Sequence, residues 1–117
     1  MTSAAEMRAD HREMIDEDGE IITLRRFVAG GAPIEAEVRA RVTGYQSAEL
    51  VGGIKQGDRR VIVLAEDVET SGFPVPFRTG GTDKVVVRCR VLNIGVVDDS
   101  TRRVGGVLIA YEITATG

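Results

Sequence analysis

Between Ala36 and Thr43 apolar and polar residues alternate without a break, Ala36, Val38, Ala40 and Val42 against Glu37, Arg39, Arg41 and Thr43. A period of two with one wet and one apolar face predicts a strand of an antiparallel sheet or small barrel. Upstream, EIITLRRFV from Glu20 to Val28 predicts a strand with Ile22 and Leu24 facing one way and the alternation blurring at Arg25 and Arg26. Arg60 to Ala65, RVIVLA, is apolar on both faces, which predicts a central strand covered by a helix or by another subunit. Lys84 to Val91 sets Val85, Val87, Cys89 and Val91 against Lys84, Val86, Arg88 and Arg90, and Leu92 to Val97 continues extended. Arg103 to Thr116 predicts a return strand, with a bulge at Gly105-Gly106 and with Val107, Ile109, Tyr111 and Ile113 along one face.

The breaks between these runs carry as much information. Ala29-Gly30-Gly31-Ala32-Pro33 and Thr79-Gly80-Gly81-Thr82-Asp83 are turns, and Asp98-Asp99-Ser100-Thr101 is rich in side chains that bond their own backbone. Glu66 to Gly72 reads as polar connection. The two prolines of Phe73-Pro74-Val75-Pro76-Phe77 remove two ladder donors, so this segment is an edge or crossing piece whose phenylalanines plug a barrel end. Ahead of the strands, Ser3 and Glu6 have the spacing of a capping box, and Met7, His11, Met14 and Ile15 share one helical face. That face is thin, so residues 1–18 form either a short helix packed on a neighbour or a disordered arm. The sum is a mainly β chain, a small antiparallel barrel or sandwich of five to six strands in one domain over residues 1–117.

The stretch from 46 to 58 stands apart. Gly52, Gly53 and Gly57 each disfavour a regular element by about 0.5–1 kcal/mol relative to alanine, which predicts a long loop between two strands. It also carries Leu50, Val51 and Ile54 among Glu49, Lys55 and Asp58. Apolar groups on an exposed loop have something to touch: the domain's own flank, another subunit or a ligand.

Composition narrows the function classes. The 117 residues are 43% hydrophobic but only 4% aromatic, so the core rests on valine, isoleucine, leucine and alanine. A net charge of −3 argues against a nucleic-acid binder working through a basic surface, and the scarcity of aromatics argues against single-strand stacking. The single cysteine, Cys89, cannot form an internal disulfide and fits a reducing compartment. No apolar run is long enough to span a bilayer, and residues 1–20 lack the apolar core of a signal peptide, so a soluble, intracellular protein is expected.

The chemistry-bearing residues point away from catalysis. His11 is the only histidine and has no partners placed for a metal or a triad, so it reads as a packing or solvent-facing residue. Cys89 falls on the apolar face of its strand and reads as a small buried hydrophobe. Residues 16–20, DEDGE, lack calcium-loop spacing, and the paired glycines never show a phosphate-loop pattern. The arginine pairs Arg25-Arg26, Arg59-Arg60 and Arg102-Arg103 fit subunit interfaces or solvated strands. No enzyme activity, metal or cofactor is expected.

The order of features resembles a known family. An acidic-Gly-Glu turn leads into ITLRR, a strand closing in TGY follows, then ELVGGIKQGDRRVIVLAED, a Phe-Pro pair, a valine strand, VLNIGVVDD and GVLIAYEI. From about Asp18 onward this looks like the head-closure, stopper or head–tail joining proteins of long-tailed bacteriophages and prophages. The part that carries most is the run Glu49 to Val61, whose QGD corner precedes a barrel strand in that family. The resemblance implies a homo-oligomeric ring, dodecameric in the family, beneath portal and adaptor proteins and above tail proteins, located in the virion after assembly from host cytoplasm. It implies no membrane and only non-specific contact with packaged double-stranded DNA. A channel-closing role would fall on Gln46, Glu49, Leu50, Val51, Gly52, Gly53, Ile54, Lys55, Gln56, Gly57 and Asp58. The alternatives are a tail-terminator or tail-completion ring protein and, from another class, a small-ligand-binding barrel with a pocket under the Phe-Pro segment.

Overall fold

The structure is a computed structural model that describes residues 3–44 and 58–116. In chain order the elements are α1 (Ala4–Asp18), β1 (Glu20–Arg26), β2 (Ile34–Gly44), β3 (Arg59–Leu64), α2 (Ala65–Ser71), β4 (Asp83–Val87), β5 (Arg90–Asp98), β6 (Arg103–Val104), β7 (Val107–Leu108) and β8 (Ala110–Thr116). Six strands close into an antiparallel barrel in the order β1-β2-β3-β8-β5-β4, while β6 and β7 pair as a separate hairpin. The alternation along β2 has the expected sense: Val38 and Ala40 are buried, and Ala36 and Val42 pack against the core from its margins. Ile22 and Leu24 of β1, Val61 and Val63 of β3, Val85 and Val87 of β4, Leu92 and Ile94 of β5, and Ile113 and Ala115 of β8 complete the interior. Branched side chains fill a narrow barrel well because their few rotamers suit a pleated, crowded surface.

The two-faced apolarity of β3 is explained within the chain. Val61 and Val63 face the barrel interior, whereas Leu64 joins Ile15 of α1 and Ile109 in a second, outer cluster flanked by Ala4, Met7, Met14 and Val104. No neighbouring subunit is needed to cover this face, because α1 already lies on it. The helix forms where the sequence signals it: the Ser3 hydroxyl accepts from the Glu6 amide at 3.1 Å. At the other terminus Arg39 of β2 reaches across, donating to the carbonyls of Ile15, Asp16 and Gly19. It satisfies acceptors that a helix end leaves orphaned and sets a cation against the negative end of the dipole. Gly19 permits the close junction, since a Cβ there would lie 2.2 Å from the Ile15 carbonyl oxygen and 3.0 Å from that of Ala40.

Several expectations are corrected. Residues 66–72 are not a plain connection: most of them belong to α2, whose Val68 is buried in the core and whose C-cap, Gly72, is left-handed. The run from Lys84 to Val91 is not one strand, because Arg88 and Cys89 both take positive φ and form a two-residue hairpin turn between β4 and β5. Cys89 is therefore exposed at the turn and not buried. Gly105-Gly106 makes no bulge either; with φ of 57° and 82° it is the turn of the β6–β7 hairpin. The bulge lies in β5, where the register against β8 shifts between Ile94 and Val96. The four residues expected along one face part company: Val107 points to solvent, Ile109 packs in the outer cluster under α1, and only Tyr111 and Ile113 face the barrel core.

The turn after β5 behaves as its residues predict. The Asp98 carboxylate accepts from the Thr101 hydroxyl at 2.6 Å and from the Thr101 and Ser100 amides at 3.0 and 2.8 Å. These bonds favour the ionised form and hold its pKa near 2, below the ordinary 3.8. A depressed carboxylate contributes stability above its unfolded-state pKa and loses it as pH falls through the folded value. Asp98→Asn should therefore lower the thermal midpoint at neutral pH, with the gap from wild type narrowing between about pH 4 and pH 2. A gap constant across that window would refute the assignment.

Candidate interaction surfaces

The two ends of the barrel differ. At one end β1 finishes at Arg26, β4 begins at Asp83, and residues 73–77 cross over the opening. Phe73 and Phe77 turn into the core, stacked 5.7 Å apart, and Tyr111 meets Phe77 edge-on at 4.9 Å. Burial raises the pKa of the Tyr111 hydroxyl. The Val75–Pro76 peptide is cis. Beneath them Arg26 and Asp83, both buried, form a two-point ion pair of 2.7 and 2.9 Å. Arg26 Nη2 also donates to the carbonyls of Pro74 and Pro76, and Asp83 accepts from the Arg78 amide. The Asp83 hydrogen bonds raise the Arg26 pKa. Thus the segment that cannot join the ladder has its carbonyls satisfied by a strand side chain, which also stacks over the Phe73 ring at 5.3 Å.

The sequence carries a signal for this buried pair, although Arg26 reads there as an interface or solvated arginine and Asp83 as a turn residue. Ile22, Leu24 and Arg26 continue one inward face, as do Asp83, Val85 and Val87, and the register pairs Arg26 with Asp83. Arg26 was a candidate subunit contact; at 6% exposure it has no surface to offer a neighbour. The other arginines of the three pairs also serve the chain itself. Arg25 bonds Glu35 across the β1–β2 pair at 2.8 Å, and Arg103 donates to the carbonyls of Asp99 and Gly106. Arg102 links Glu112 of β8 to His11 of α1. Arg60 lies 3.8 Å from the same Glu112.

His11 is buried. Its Nδ1 lies 2.9 Å from the Met7 carbonyl oxygen and its Nε2 2.9 Å from Arg102 Nη1. A carbonyl only accepts and a guanidinium only donates, so Nδ1 carries the proton and Nε2 accepts. The ring is thereby a neutral link between helix and barrel.

The opposite rim is formed by the start of β1, the β4–β5 turn and the paired residues Gly44 and Arg59 that bound the β2–β3 connection. Of the channel-closing candidates only Asp58 belongs to the described residues, and it is buried just ahead of β3. Gln46, Glu49, Leu50, Val51, Gly52, Gly53, Ile54, Lys55, Gln56 and Gly57 lie outside them. Beside this rim is a cavity of about 190 Å³ lined by Arg59, Val87, Arg88, Arg90 and Leu92. Arg59 donates to the Asp58 carbonyl and Arg88 to Glu20. A second hollow of about 350 Å³ lies near the Phe-Pro segment, between Ala65, Glu69, Val75, Leu108 and Tyr111. Its polar groups are few, and no cluster of three or more metal-ligating side chains occurs among the described residues.

The fold and its surfaces define a closed six-stranded antiparallel β-barrel braced by an N-terminal helix. No family model matches this chain, and no curated protein does.

Proposed function

We propose that this chain is a structural head-completion protein, a stopper-type connector that forms a ring beneath the portal or adaptor of a tailed phage or phage-like particle. In this reading it helps retain packaged DNA and offers a docking surface to the tail. One observation supports it beyond the order of sequence features: the β2–β3 connection leaves the rim opposite the one crossed by residues 73–77. A long connection set at one end of a closed barrel can meet other subunits or a DNA end without disturbing the core, because its bounding residues are held by the ladder. The moderate negative charge fits a lumen that DNA must pass without being gripped.

Deletion of residues 49–56 in the particle tests this. The barrel should still fold, and particles should contain DNA-filled heads that leak or fail to join tails. Normal infectivity would remove the closure role. Rings on tails assembled without capsids would move the chain to tail completion.

A further inference from the structure

We propose that the hollow between α2, the Phe-Pro segment and the β6–β7 hairpin is a binding site for a small primary amine carried on an apolar body. The proposal is independent of the connector reading, because none of the hollow's residues bounds the β2–β3 connection. Four pieces of chain build it: Ala65 and Glu69 from α2, Val75 from the crossing segment, Leu108 from β7 and Tyr111 from β8. At about 350 Å³ it is at the small end of ligand pockets, which span roughly 300–1,000 Å³.

The walls are fixed by bonds that face elsewhere. The Ala65 amide donates to the Ile109 carbonyl at 2.9 Å, tying the start of α2 to the strand that follows the hairpin. Tyr111 sits in the ladder opposite Val63, and Phe77 meets its ring edge-on. Ala65 and Glu69 are one helical turn apart and so share a face of α2. A hollow framed in this way keeps its shape before a ligand arrives, which lowers the entropic cost of binding.

The polar groups of the lining are unspent. Glu66 and Asp67 of the same helix are committed to Arg12, and Glu112 on β8 is committed to Arg102. Among the described residues, by contrast, no hydrogen bond or ion pair holds the Glu69 carboxylate or the Tyr111 hydroxyl. The charges that bear on this phenol are Glu69, Asp99 and Arg103, two carboxylates against one guanidinium. Arg103 is itself bonded to the Asp99 and Gly106 carbonyls within the hairpin. An anionic ligand would therefore meet like charge, and a cationic one its complement. An ammonium brings three donors and no acceptor, and a carboxylate and a phenol oxygen accept two of them. The five donors of a guanidinium would outnumber these acceptors. Ala65, Val75, Leu108 and the Tyr111 ring then cover the carbon body.

Three ligands with one ring and one ethylene stem separate the contributions: phenethylamine, phenethyl alcohol and hydrocinnamate, each titrated into the full chain and followed by amide NMR shifts. Phenethylamine should move the Ala65, Glu69, Val75, Leu108 and Tyr111 resonances and bind about fivefold more tightly than the alcohol, the most that an exposed ion pair contributes. Hydrocinnamate should bind most weakly, and the preference for the amine should fade as salt rises. Glu69→Gln, at an exposed position, should bring the amine to the alcohol's affinity and leave the alcohol unchanged. Tyr111→Phe keeps the ring beside Phe77 and should weaken the amine by loss of one acceptor. No shifts at these amides at about 10 mM amine, equal binding of the three ligands, or an amine preference that survives Glu69→Gln would each overturn the proposal. These outcomes concern the hollow alone; the connector reading stands or falls on the particle phenotype of the loop deletion.

Discussion

Asp83→Ala is expected to destabilise the barrel by about 3–5 kcal/mol, the usual cost of leaving one member of a buried ion pair without its partner. Arg26 would keep its bonds to the Pro74 and Pro76 carbonyls but would hold an uncompensated charge at the barrel end, and the Arg78 amide would lose its acceptor. The double replacement Arg26→Met/Asp83→Leu sharpens the test. Where a buried pair is only a pair, apolar substitution of both members is often neutral. Here two carbonyls and one amide, all part-buried, would also lose partners, at up to about 1–3 kcal/mol for each group that water cannot reach. The double variant should therefore remain well below wild type in urea denaturation at an unchanged slope. An Asp83→Ala variant within about 1 kcal/mol of wild type would show that the pair is not the keystone of that end.

The second large effect is expected at Ile15→Ala. Truncating a fully buried isoleucine costs about 2–5 kcal/mol, and in this outer cluster the loss falls on a helix with few other apolar contacts. Partly exposed ion pairs such as Arg12–Asp67 contribute about 0–1 kcal/mol and cannot replace it. An isolated 15-residue helix is marginal in water. The expected result is thus local: α1 amides lose hydrogen-exchange protection while those of the barrel strands keep theirs. Equal loss across helix and strands would instead mean that α1 and the barrel fold as one unit.

The parts of the fold that rest on period-two patterning could be read from the residues. In β2 alternation is clean, and a barrel or sandwich follows from it together with the turn residues. The helix was half readable: Ser3 and Glu6 announce its start, but its docking depends on Leu64 and Ile109, which are distant in sequence. Other elements gave weaker signals. Arg88-Cys89 is not turn chemistry, and only the pairing of Val87 with Arg90 forces positive φ there. A segment as polar as AEDVETS has one buried residue, Val68, too little for a helical pattern. Charge hid Arg26 and Asp83, although both keep the alternation of their strands. Of the candidate site, Asp58 and the arginines could be located, and most of those arginines turned out to join pieces of their own chain.

Closure of the barrel bears on how any partner can recognise it. Each of its six strands has a paired neighbour on both sides over part of its length, so among the described residues no barrel strand offers a whole free edge of backbone donors and acceptors. A partner adding a strand would find only overhanging stretches, such as residues 34–39 of β2 beyond its pairing with β3, so edge-to-edge templating between crowded copies has little backbone to use. Recognition at the barrel wall must be written in side chains, where one substitution can change which partner is accepted.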